Sequence, residues 1–164
     1  MALIKDGALV EDPYRDATGA ERIPSEGPAI VSLTQWQAHR EQLLRREGDL
    51  GVRLRTDEPP ESITDDLDRF ALVALEFPVF RDGRPYSYAR LLRERYRYPG
   101  EIRAVGDVLL EQLHFMLRTG FNSFELDSED PLHDFEVAAR EFSVWYQPAA
   151  DGRRTVTELR HRPG

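Results

Sequence analysis

The stretch FALVALEFPVFRDGRPY, residues 70–86, decides the fold. Residues 70–77 are apolar at consecutive positions except Glu76, and a strand that does not alternate is covered on both faces, as strands of a parallel sheet are. Pro78, Asp82-Gly83 and Pro85 then break the pattern, and Pro85 suits the first turn of a helix, where its missing N–H would have no partner. A buried strand, a turn and a helix in that order make the β-α step of an α/β fold, with this strand central.

The step repeats outward in both directions. Downstream, Ala89, Leu92 and Tyr96 share a helical stripe that Pro99-Gly100 ends, and EIRAV (101–105) reads as a strand. Asp107 then suits the N-cap of a helix carrying Leu109, Leu113, Met116 and Leu117, which Gly120 stops. SFELD (123–127) is another strand, and Asp130-Pro131 opens a helix through Leu132, Phe135, Ala139 and Phe142. Upstream, GVRLR (51–55) and PAIVSL (28–33) are strands, the latter leading through a Thr34 cap into a helix with Trp36, Leu43 and Leu44.

The expected fold is therefore α/β, with about five mostly parallel strands, intervening helices and a sheet that is open or partly barrel-like. Asp6-Gly7 supplies the positive-φ pair of a small N-terminal hairpin capping an edge. The chain reads as a single domain over residues 1–164: hairpin and surface loop (1–27), core (28–148), and a tail (149–164) in which TVTELR forms an edge strand.

The absence of cysteine excludes disulfides, thiolate-ligated iron–sulfur clusters and a cysteine nucleophile, so any redox cofactor would be borrowed, and the sequence does not name it. A net charge of −8 argues against nucleic acid as a partner. The longest apolar stretch, 70–80, falls short of the roughly 20 residues that cross a bilayer, and the N-terminus lacks the basic-then-apolar pattern of a signal peptide. A cytoplasmic protein without a membrane partner is expected. The four histidines stand on separate elements without HxH or HxxxH spacing, so no metal site is expected, and no phosphate-binding glycine loop or nucleophile elbow occurs.

Ligands of parallel α/β sheets bind beyond the carboxyl ends of the strands, which directs attention to the loop after residue 77. Between Arg81 and Arg103 seven arginines face Asp82, Glu94 and Glu101, a local balance of +4 that leaves −12 elsewhere. Arg81, Arg84, Ser87 and Arg103 are the candidates for a site that binds an anion or a partner beside a helix N-terminus. Arg90, Arg93, Arg95 and Arg97 fit a merely solvated helix face. Glu76, Asp82 and Asp107 are the candidate catalytic acids or bases, although a strand-end ion pair would also explain Glu76 and helix capping would explain Asp107.

The run FPVFRDGRPYSYARLLRERYRYPGEIRAVGDVLLEQLHFMLRTGFNSFEL, residues 77–126, resembles the bacterial domain of unknown function 934 family, most specifically in DGR-x-YS-x-ARLLRER and GEIRAVGDVL. With GVRL upstream and WYQP downstream the resemblance spans roughly residues 28–148. It implies an oxidoreductase or accessory protein of assimilatory sulfate and sulfite reduction, because genes of that family lie beside those for sulfite reductase and phosphoadenylylsulfate reductase, which become the implied partners. The resemblance carries over no catalytic residues, and it implies a cysteine where this chain has Thr119. Two other readings stand beside it: an independent enzyme with a borrowed nucleotide or nicotinamide cofactor, and a structural adaptor that pairs with itself or another subunit.

Overall fold

The computed structural model describes residues 1–79 and 81–140. Eight strands form one sheet: β1 (Ala2–Lys5), β2 (Ala8–Val10), β3 (Arg15–Asp16), β4 (Ala29–Ser32), β5 (Leu50–Leu54), β6 (Leu72–Phe77), β7 (Glu101–Gly106) and β8 (Ser123–Leu126). Their spatial order is β2-β1-β8-β7-β6-β5-β4-β3, with β3 to β8 parallel and the β1–β2 hairpin antiparallel against β8. The expected count of about five is thus exceeded. The hairpin joins the sheet at its β8 edge, and the segment expected to be pure loop contains β3.

Each crossover moves one strand along in the same direction, and right-handed crossovers of that kind place every connecting segment on the same side of the sheet. The result is an open, curled sheet, a half-barrel. The segments are α1 (Leu33–Arg45), a 3₁₀ run (Pro60–Arg69), α2 (Arg84–Arg90) continued by a π turn (Leu91–Arg95), a 3₁₀ turn (Leu110–Gln112) leading into α3 (Leu113–Thr119), and finally α4 (Pro131–Arg140). Val52, Leu75, Phe77, Ile102, Ala104 and Phe124 meet Trp36, Ile63, Leu92 and Met116 in one core on the helix side.

Several local readings shift. Ser32, not Thr34, caps α1, its hydroxyl accepting from Gln35 N while the Gln35 side chain accepts from Ser32 N. Asp107 is not the N-cap of α3, because the chain enters α3 only after the 3₁₀ turn, whose N-cap is Leu109. Arg93 is not solvated: its guanidinium donates to the carbonyls of Gly120, Tyr98 and Gly100 and to Asn122 Oδ1, tying the π turn to the start of β7 and the end of α3. The edge strand expected at 155–160 lies outside the described residues.

Gly106 ends β7 at φ +91°, where an added Cβ would stand 2.4 Å from the Phe77 carbonyl oxygen. Asp107 N donates to that same oxygen at 2.7 Å, so the β6 and β7 ends are stitched together. Gly106→Ala should therefore destabilise the fold by more than about 1 kcal/mol in urea unfolding; an unchanged midpoint would show that this crossing is free to relax.

Candidate functional site

At the carboxyl ends of β5 and β6 the expected anion loop is already filled. The Asp82 carboxylate accepts from Arg84 N (3.0 Å), Arg84 Nε (3.0 Å) and Arg84 Nη2 (2.7 Å), so it takes the place an anion would occupy at the start of α2. Arg84 also donates to Thr56 Oγ1, and Tyr88 OH donates to the Thr56 carbonyl, binding the two loops together. The bonds from Arg84 hold the Asp82 pKa at about 2. A carboxyl so acidic stays ionised through the neutral range and has no proton to give. Arg81 and Asp107 are both exposed.

Arg103 is elsewhere. Strand alternation points it to the face without helices, where it has no exposed surface. Its Nη1 reaches Asp12 Oδ2 at 2.7 Å and Glu125 Oε1 at 3.5 Å, its Nη2 reaches Glu101 Oε1 at 2.9 Å, and it lies 5.6 Å from the Tyr14 ring centroid. Lys5 Nζ meets the second oxygen of Glu101 at 3.0 Å. One strand past β6, Arg53 Nε pairs with Glu76 Oε2 at 3.0 Å and Nη1 with Asp16 at 3.5 Å. Glu76 is thus the ion-paired residue of the strand end. Burial raises the Glu125 pKa against the pull of Arg103 and lifts Tyr14 to about 12.

Of the four anion-site candidates, Ser87 lines a cavity. It shares about 520 Å³ on the outer side of α2 and the π turn with Tyr86, Leu91, Arg90, Arg95 and Thr119, and with Glu94. Arg90 and Arg95 make no ion pair among the described residues; the guanidinium of Arg95 lies 5.8 Å from the neighbouring Tyr96 ring centroid. Thr119, at the position where the resemblance implies cysteine, is buried with its hydroxyl on the Met116 carbonyl. Among the described residues no group of three or more His, Cys, Asp or Glu is placed to hold a metal ion, and no helix is long and apolar enough to cross a membrane.

The profile of a bacterial protein family of unknown function, DUF934, matches residues 51–157. The chain belongs to this family. No curated protein matches it. The DUF934 match begins at the second β-α step and takes in β5 to β8 with α2, the π turn and α3, so both the cavity and most of the ionic face lie within it.

The sequence reading passed over Arg53, Asp12, Tyr14 and Glu125, and set Arg90 and Arg95 aside as solvating residues. A signal for Arg53 and Glu125 was present: with Arg103 they occupy the polar turns of alternation in GVRLR, EIRAV and SFELD, which puts them on one face, whereas Asp12 and Tyr14 lie in no strand.

Two outcomes test this face. Arg103→Met leaves Glu101 and Asp12 without their shared cation and should destabilise the fold by about 3–5 kcal/mol in chemical unfolding. Because the folded pKa of Glu125 is raised, its stabilising contribution is present below its ordinary value of 4.5 and is lost as pH rises through the folded value. Glu125→Gln, a neutral mimic, should therefore melt higher than wild type at about pH 7 and not at about pH 4; equal gains at both would rule out the carboxyl as the cause.

Proposed function

We propose that this chain is an accessory protein of assimilatory sulfate and sulfite reduction, engaging an anionic ligand or a partner enzyme through the arginine surface of α2 and the π turn. One observation carries the surface: on a chain of net charge −8, Arg90 and Arg95 flank a cavity beside Ser87 with no carboxylate paired to either among the described residues. Guanidinium groups left in this state favour oxyanions or acidic faces. The resemblance over residues 77–126 supports the metabolic setting, with sulfite reductase and phosphoadenylylsulfate reductase as the partners it implies. A chain without cysteine has no thiolate with which to hold an iron–sulfur cluster, which favours an accessory over a self-sufficient electron carrier.

The tagged chain, expressed in its native host on sulfate as sole sulfur source, should bring down one of these enzymes in near-stoichiometric amount. Arg90→Ala with Arg95→Ala should lose the enzyme while keeping the melting temperature of wild type. Recovery of the wild-type chain alone overturns the accessory role, and full recovery with the double variant moves the contact to another surface.

A further inference from the structure

We propose that the cavity beside α2 binds a small organic anion, a flat apolar body seated against Tyr86, Leu91 and Thr119 with its carboxylate, sulfonate or phosphate oxygens held by Arg90 and Arg95. The inference rests on the same arginine surface as the function proposed above and names the class of ligand it takes. At about 520 Å³ the cavity is of a size that small ligands fill.

Its inner wall is set in advance. The Tyr86 ring packs edge-on against Phe77 at 5.2 Å, and its hydroxyl is committed to Gln112 Oε1 at 3.0 Å. The Thr119 hydroxyl is committed to the Met116 carbonyl at 3.0 Å. Neither hydroxyl has a proton left to donate to an anion, so to an anionic ligand this wall offers contact rather than hydrogen bonds. Gly120, next to Thr119, receives the Nε–H of Arg93 on its carbonyl at 2.9 Å, and Tyr96 N closes the π turn on the Leu91 carbonyl at 3.0 Å. Arg90 and Arg95 therefore project from a turn that is braced from behind, which lowers the ordering needed on binding.

The rim supplies the charge. Arg90 and Arg95 against Glu94 give the cavity a positive balance, and the exposed Ser87 adds a hydroxyl donor. Two guanidiniums without an ion pair among the described residues, over a largely apolar floor, select an amphiphilic anion. An inorganic oxyanion would meet the arginines and leave the floor bare, a neutral aromatic would cover the floor and leave the arginines unsatisfied, and a flat acidic protein face would leave the cavity empty.

The test uses naphthalene-2-sulfonate, 2-naphthol and inorganic sulfate, titrated separately into the full chain by calorimetry with amide chemical shifts as a second readout. Naphthalene-2-sulfonate should bind at least about tenfold more tightly than either of the others, with shifts centred on residues 86–95 and 119. Arg90→Gln with Arg95→Gln should weaken it by about tenfold or more, whereas Arg97→Gln, outside the cavity, should leave it unchanged. Comparable binding of 2-naphthol or of sulfate by the wild-type chain overturns the proposal without any variant, as does undiminished binding by a folded double variant. Naphthalene-2-sulfonate binding that persists when no reductase co-purifies overturns the accessory role alone. A reductase that co-purifies through Arg90 and Arg95 while naphthalene-2-sulfonate fails to bind overturns the ligand class alone.

Discussion

A guanidinium with no exposed surface stands in the middle of β7, and much of the helix-free half of the sheet is arranged to keep it satisfied. An ionised group taken out of water is tolerable only where opposite charge and hydrogen bonds replace its hydration. Arg103 receives these from three separate parts of the chain: Glu101 on its own strand, Glu125 on the neighbouring β8, and Asp12 from the segment that follows the N-terminal hairpin. Lys5 of β1 closes the circuit on Glu101. The antiparallel attachment of the hairpin to β8 thus has an electrostatic reason beside its backbone ladder, since it brings Lys5 into reach.

The half-barrel topology separates two kinds of chemistry. Helices accumulate on one face, where the apolar core is continuous from Trp36 to Phe124, while the other face alternates small apolar residues, Ala74 and Val105 among them, with ion pairs. The arginine-rich stretch from 81 to 103 is divided across this boundary. Arg84 neutralises Asp82 at the loop, Arg93 braces backbone carbonyls inside the helical layer, and Arg103 is buried behind the sheet. Arg90 and Arg95, which make no ion pair among the described residues, border a cavity, which is why that cavity carries the functional reading.

Identical side chains with different neighbours account for what was hidden. Period and punctuation in FALVALEF, EIRAV and SFELD located β6, β7 and β8, because burial on both faces and turn residues leave a local trace. The 3₁₀ run from Pro60 to Arg69 left only a short trace, Pro60, Ile63 and Leu67 at i, i+3 and i+7 among charged residues. The candidate site was legible in composition and illegible in membership: seven arginines were visible, but their partners Asp12, Gly120 and Asn122 lie far along the chain from the arginines they hold.

By itself the sequence determined the α/β class, the parallel central strands and family membership, because these follow from local apolar periodicity, turn chemistry and residues 51–157 read in order. Tertiary structure alone decided that the hairpin extends the sheet, that Arg103 is structural, and that Ser87, Arg90 and Arg95 share a cavity. Those outcomes depend on which strand face a side chain takes and on which distant carboxylate or carbonyl then comes within about 3 Å, a distance at which hydrogen bonding and charge pairing act and over which linear order has no control.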